Sequence, residues 1–227
     1  MSTPEKATGK KLVFVGDSGV GKTCIISRFV QGTFTDNVAS TMGASYASKT
    51  IEIPEINQSF TFDIWDTAGQ EKYKALAKFF FQGAKMAVLV YDITRRDSFD
   101  GMKNGWYKQL RDNAANDIVI GVAGNKSDLY DDEVVSEQEA RDFAKEIGAE
   151  FALTSAQNNS GIDELFKNLA KKYLKIDSSS NTDQAGKKPA SKPEQKQDQN
   201  QEQNTIKIDA KNVAAKNKEQ KKKKSPC

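Results

Sequence analysis

Histidine is absent from this 227-residue chain, and cysteine occurs only twice, as Cys24 and Cys227. So few sulfur and imidazole ligands exclude a disulfide framework and a structural zinc cluster, and the cysteine usage suits a reducing compartment. No apolar run is long enough to span a bilayer, and the first residues lack the apolar stretch expected of a secretory leader. Apolar residues are also scarce after about residue 174. Residues 175–227 hold 13 Lys against 7 acidic residues, with little to bury. The whole chain carries +3, which leaves the remainder near −3. A mildly acidic body lacks the basic footprint of a nucleic-acid binder, so no nucleic-acid partner is expected. The organisation read from this is a flexible arm at 1–9, one globular domain at 10–174, and a disordered tail at 175–227.

What is present is organised around Gly16-Asp17-Ser18-Gly19-Val20-Gly21-Lys22-Thr23. This octet follows the apolar run Leu12-Val13-Phe14-Val15 and opens a helical pattern carrying Ile25, Ile26, Phe29 and Val30. A strand, a glycine-rich turn and a helix start form a phosphate-binding loop, because glycines let several N–H groups converge where the helix dipole already favours an anion. Asp17, Ser18, Gly19, Val20, Gly21, Lys22 and Thr23, with Cys24 beside them, are the expected phosphate-binding set. Lys22 supplies positive charge and the Thr23 hydroxyl is suited to Mg²⁺.

Further polar sets follow other predicted strands. Ala44–Ile53 and Ser59–Trp65 read as a hairpin, with Phe60, Phe62 and Ile64 on its packed face. The second strand runs into Asp66-Thr67-Ala68-Gly69-Gln70, where an acidic residue can serve a metal and Gly69 can offer its N–H to a phosphate. An irregular helix is expected at 71–82, then a buried strand at Met86–Tyr91. Ser98 is placed to cap a helix that turns Phe99, Met102, Trp106 and Leu110 inward. The strand Ile118–Val122 leads to Asn125-Lys126-Ser127-Asp128. Ser136 and Glu139 make a capping box for the next helix. A short strand at 151–153 precedes Thr154-Ser155-Ala156-Gln157, and the last helix turns Ile162, Leu165, Phe166, Leu169 and Tyr173 inward. The alternation predicts an α/β fold with a doubly wound, mostly parallel six-stranded sheet and one antiparallel edge strand. Ligands of such sheets bind outside the carboxyl ends of the strands, which is where all four polar sets fall.

The chemistry of those sets points to GTP. The Asp128 carboxylate can accept from guanine N1–H and the 2-amino group, whereas adenine would oppose it with an acceptor. Thr23, Thr41 and Asp66 are the expected Mg²⁺ ligands. Gln70 is placed to orient water on the γ-phosphate, with charge compensation from Lys22 and Mg²⁺. The loop from Gly32 to Gly43 contains neither Arg nor Lys, so slow hydrolysis that needs a partner's cation is expected.

These strings, together with Thr41-Met42-Gly43, Trp65 to Tyr73 and Tyr91-Asp92-Ile93-Thr94, resemble a Ras-superfamily small GTPase of the Rab family over residues 10–174. The resemblance implies that Phe34 packs on the guanine edge and that Thr41 binds Mg²⁺ and reports the γ-phosphate. It also implies that Gly69 contacts that phosphate and that Ser155, Ala156 and Gln157 border the base. The expected catalytic set is therefore Gln70, Lys22, Thr41 and Gly69. Two segments, about 33–43 and 67–79, would order with GTP and loosen with GDP. The family's effector-facing aromatic triad would map to Tyr46, Trp65 and Phe80, and the segments around Thr41–Tyr46 and Leu76-Ala77 look most like the early-endosomal subgroup. Implied partners are an exchange factor, a GTPase-activating protein, a GDP-dissociation inhibitor with a prenylation escort, and effectors. Met42, Lys72, Gln82 and Gln157 depart from the family pattern.

The tail ends Lys221-Lys222-Lys223-Lys224-Ser225-Pro226-Cys227, behind Lys216 and Lys218. A lysine run next to one lipid chain makes a workable membrane anchor. A prenyl (geranylgeranyl) group on Cys227 is expected, although Rabs typically end in two cysteines or a Cys-a-a-X signal. Competing readings are a Ras- or Rho-like GTPase at the plasma membrane and a non-hydrolysing GTP-binding scaffold. The first is disfavoured by the Trp65–Ala84 segment and by the lack of an insert between Leu129 and Ser136, the second by intact Thr23, Thr41, Asp66 and Gln70.

Overall fold

A computed structural model describes residues 9–35, 40–54, 57–69 and 77–180. Gln70, Lys72, the arm before residue 9, and the tail with its lysine run and Cys227 lie outside the described residues.

Six strands form one sheet in the order β2-β3-β1-β4-β5-β6. They are β1 (Lys10–Val15), β2 (Ala44–Ile53), β3 (Gln58–Thr67), β4 (Met86–Asp92), β5 (Val119–Asn125) and β6 (Glu150–Thr154). The α-helices among the described residues are α1 (Lys22–Gln31), α2 (Ala77–Phe81), α3 (Arg96–Gly101), α4 (Tyr107–Asn113), α5 (Glu137–Glu146) and α6 (Ile162–Ser180). Only β2 and β3 pair antiparallel, with Tyr46 opposite Trp65, and the other pairs are parallel. This is the predicted architecture.

Alternation along β1 supplies both cores. Leu12 and Phe14 face a layer that contains α1 (Lys22–Gln31) and α6 (Ile162–Ser180). Val13 and Val15 face the opposite layer, built on Phe99, Met102, Trp106, Leu110 and Phe143. In the first layer Phe29 stacks on Phe166 with ring centroids 3.5 Å apart and planes 4° apart. Each such side chain, fully buried, contributes about 1.5–3 kcal/mol. All seven residues of β4 are buried, as a central parallel strand covered on both faces requires.

Several details differ from the sequence expectation. Strand β3 continues through Asp66 and Thr67, because Asp66 still pairs with Phe14 and Ser45 in the sheet. Ser98 is not a helix cap: α3 (Arg96–Gly101) starts before it. Its hydroxyl is buried, donating to the Arg95 carbonyl and accepting from the Asp92 N–H. The capping box is half made. Ser136 Oγ accepts from the Glu139 N–H, but the Glu139 carboxylate turns to Arg96, at 2.7 and 2.8 Å. Helix α6 runs to Ser180, past the end of the apolar pattern, since a helix nucleated on a packed face propagates cheaply.

The inward residues of the helix after β4 are as expected, but its path is not uniform. Between α3 and α4 (Tyr107–Asn113) lies a π-helical turn, Met102–Trp106. It aims Trp106 at the phosphate loop, where Nε1 donates to Asp17 Oδ1 at 2.8 Å. The same carboxylate lies 2.7 Å from where a Cβ on Gly101 would stand, so Gly101 leaves room for it. Trp106→Phe is expected to cost about 2–4 kcal/mol through lost packing and an unpaired carboxylate. The urea midpoint at unchanged slope measures it, and no shift would dismiss the contact as incidental.

Candidate nucleotide site

The carboxyl ends of β1, β3, β5 and β6 open on a cavity of about 500 Å³. Ser18, Gly19, Gly21, Lys22, Thr23, Cys24, Phe34, Thr41, Gly69, Asn125, Lys126, Asp128, Ala156 and Gln157 line it. These expected residues converge from five separate segments of the chain. Asp17, Val20, Asp66 and Ser155 stand behind that lining.

At the phosphate end, Gly21, in the left-handed region (φ 91°), immediately precedes α1, which has no side-chain cap and no acidic residue in its first turn. Its first N–H groups and dipole are thus left for an anion. A Cβ at Gly21 would sit 2.2 Å from Asn125 Nδ2, and one at Gly69 would sit 2.5 Å from Lys22 Nζ. Both positions exclude any side chain. Lys22 is buried, and its ammonium donates to the carbonyls of Gly16 and Asp17 at 2.8 and 2.9 Å. Burial lowers its pKa to about 8 against the opposing pull of Asp66 and Asp17.

Beside it, Thr23 Oγ1 lies 2.9 Å from Thr41 Oγ1 and donates to Asp66 Oδ2 at 2.6 Å. Burial raises the Asp66 pKa, opposed by the Thr23 hydrogen bond and the Lys22 charge. Asp66 Oδ1 is buried without a hydrogen-bond partner. One carboxylate and two hydroxyls, with a buried oxygen still unsatisfied, make a donor set that fits a small hard cation such as Mg²⁺.

At the base end, Asp128 accepts a short hydrogen bond from Ser155 Oγ. Lys126, in the left-handed region, pairs at 2.6 Å with Asp92, a carboxylate that also accepts from Thr94. Asn125 does more positioning than the sequence suggested. Its amide donates to the Val20 carbonyl at 2.8 Å and accepts from Thr154 Oγ1 at 3.2 Å, tying the phosphate loop to the base loop.

Sequence reasoning missed several contributors. Thr35, Ser40, Thr67 and Leu129 also line the cavity. Arg95 donates to the Ser18 carbonyl at 3.1 Å while paired with Asp97, so a cation does sit against the phosphate loop from outside the Gly32–Gly43 segment. Arg28, on α1, donates to the carbonyl of Ala156 in the cavity wall and to that of Gly32 at the end of its own helix. Nothing in the local residue pattern marks these arginines; only the fold brings them in. Away from the cavity, Tyr46 meets Trp65 edge-on at 5.7 Å, and Phe80 packs partly on the second core. Met42 and Phe79 are exposed.

A parallel sheet with a glycine-rich loop at its centre, a hard-oxygen donor set and an Asn-x-x-Asp base loop define a phosphate-loop guanine-nucleotide protein. The Ras family model matches residues 11–175. The chain is 42% identical over 176 residues to the rat Ras-related protein Rab-31, covering 78% of this chain and 89% of that one. It is 43% identical over 169 residues to the human Ras-related protein Rab-22A, covering 74% of this chain and 86% of the relative. The chain belongs to the Ras family of small GTPases, and within it to the Rab group. It binds GTP and GDP with Mg²⁺, hydrolyses GTP, and is a regulator of vesicle trafficking.

Proposed function

We propose that the chain is a membrane-recruited Rab switch of the endocytic pathway, slow by itself and dependent on partners for both exchange and hydrolysis. The observation that carries the reading is the Thr23–Thr41–Asp66 cluster at one end of a cavity whose other end holds Asp128. Thr41 belongs to a loop with no helix or strand among its described residues, yet its hydroxyl reaches the metal-site carboxylate. Such a residue can tie loop order to the state of the nucleotide.

In this reading the N–H groups from Asp17 to Cys24 hold phosphates, and Lys22 compensates their charge. Thr23, Thr41 and Asp66 hold Mg²⁺, which when bound would supply charge neutralisation on the β- and γ-phosphates. Asp128 reads guanine N1–H and the 2-amino group, Ser155 fixes that carboxylate, and the Ala156 N–H faces guanine O6. Phe34 covers the base edge, with Asn125, Lys126 and Gln157 around it. Gly69 offers its N–H to the γ-phosphate. Gln70 orients the attacking water. Arg95 is held on the Ser18 carbonyl and by Asp97, outside the cavity, so the cation for the transition state is supplied in trans. Purified protein is expected to turn GTP over well below about 1 per second; faster single-turnover hydrolysis would overturn that step.

Effectors would read Tyr46, Trp65 and Phe80, and the remaining partners would be an exchange factor, a GTPase-activating protein, a GDP-dissociation inhibitor and a prenylation escort. Residues 221–224 with a prenyl group on Cys227 would hold the protein on the cytoplasmic face of endosomal or vesicle membranes, cycling with cytosol. Each Lys adds about 1 kcal/mol near an anionic leaflet. Expressed in its own cell, Cys227→Ser is expected to become cytosolic, Gln70→Leu to enlarge endosomes, and Thr23→Asn to disperse. A Cys227→Ser variant that still sediments with membranes would remove the lipid from the account.

A further inference from the structure

We propose that Arg28 is a positioning residue for the nucleotide: from α1 it clamps the base loop to the segment that carries Phe34, and so sets how long GDP or GTP stays bound. Its guanidinium donates through Nε to the Ala156 carbonyl at 2.7 Å and through Nη2 to the Gln157 carbonyl at 3.1 Å. Nη1 donates to the Gly32 carbonyl at 2.8 Å, and the guanidinium carbon lies 5.8 Å from the centre of the Phe34 ring. Ala156, Gln157 and Phe34 all line the cavity, whereas Arg28 does not. It therefore acts through them rather than on the nucleotide.

The end of α1 shows why the clamp is directional. Gly32 closes the helix in the left-handed region (φ 72°), its N–H bonded to the Arg28 carbonyl. One residue thus holds both the N–H and the carbonyl of Gly32, which fixes the direction in which the chain leaves toward Phe34. A planar fork with five donors can hold three carbonyls on two segments at once; an ammonium cannot reproduce that geometry. All three bonds are charge-assisted, which strengthens them; the one to Ala156 is also partly shielded from water, whereas those to Gly32 and Gln157 are exposed. The clamp also gives displacement of the Phe34 segment a direct mechanical route to Ala156 and Gln157. At Gln157, where the side chain departs from the family pattern, it is the backbone that is held.

The inference rests on guanine-nucleotide binding, and the test separates the two. Full-length wild type, Arg28→Met and Arg28→Lys are loaded with fluorescent GDP or GTP analogue and chased with excess unlabelled nucleotide in Mg²⁺. Arg28→Met is expected to release both nucleotides about tenfold faster or more, equivalent to about 1.4 kcal/mol, with association rates within about twofold of wild type. Arg28→Lys is expected to fall between them, keeping charge near Phe34 but losing the fork. Melting temperatures should drop more for the loaded forms than for the nucleotide-free forms. Release from either variant within about twofold of wild type, or equal drops in the two melting temperatures, would overturn the clamp. Wild type that retained no GDP would instead overturn the nucleotide reading itself.

Discussion

Lys22→Ala is expected to lower affinity for GDP and GTP by about 10²–10⁴-fold, because it removes one member of a buried charge set and strands the other; such losses run to about 3–5 kcal/mol. Lys22 is buried to 5% exposure, and Asp66 to 2%. The ammonium is the positive charge that opposes Asp66, and it points between the Gly16 and Asp17 carbonyls toward the mouth of the phosphate loop. Arginine is not expected to rescue the loss, because Gly69 already approaches the ammonium so closely that it has no room for a methyl group. Calorimetric titration of the refolded, nucleotide-free variant with GDP would measure the effect. A loss below about tenfold would show that the loop N–H groups alone carry the phosphates.

Asp128→Asn should change what is bound more than whether anything is bound. Guanine presents two donors to this edge, N1–H and the 2-amino group, and a carboxylate accepts both. Two charge-assisted bonds of about 1.5–3 kcal/mol each set the expected fall in GDP affinity at about 10²–10⁴-fold. Xanthine carries an acceptor in place of the 2-amino group, so the introduced amide can donate there and accept from N1–H. Xanthosine diphosphate affinity is expected to rise as GDP affinity falls. The Ser155 hydroxyl, which donates to Asp128 in the wild type, can still donate to the carbonyl oxygen of that amide, so the base loop should keep its shape. Competition of the two nucleotides for the variant reads the exchange directly. Equal loss of both would mean that Asp128 shapes the loop and does not read the base.

Much of the site was legible because it is written in short strings. Gly16 to Thr23 encodes its own turn, and the residues after β3, β5 and β6 follow apolar runs whose ends can be counted. Thr23 and Asp66, expected from their chemistry as ligands of one cation, lie within hydrogen-bonding distance of each other. Helix faces were equally readable: Phe99, Met102, Trp106 and Leu110 are buried as their spacing demands, although a π-turn interrupts the helix between them. Ser98 and Glu139 went differently because a side chain with two possible partners is assigned by distance. Ser98 found the Asp92 and Arg95 backbone, and Glu139 found Arg96, 43 positions away.

The amino-acid string by itself determined which residues are available for the chemistry: a glycine-rich loop, an Asn-x-x-Asp set, and hydroxyl and carboxylate oxygens at the strand ends of a mostly parallel sheet, because each depends on residue types at fixed local spacing. Tertiary structure alone decided how those parts are held against one another. Arg28 reaches Ala156 across 128 positions, Asn125 reaches Val20 across 105, and Trp106 reaches Asp17 across 89. No periodicity records such pairs, because a hydrogen bond needs its donor and acceptor within a few tenths of an ångström, and only the packed layers set that distance.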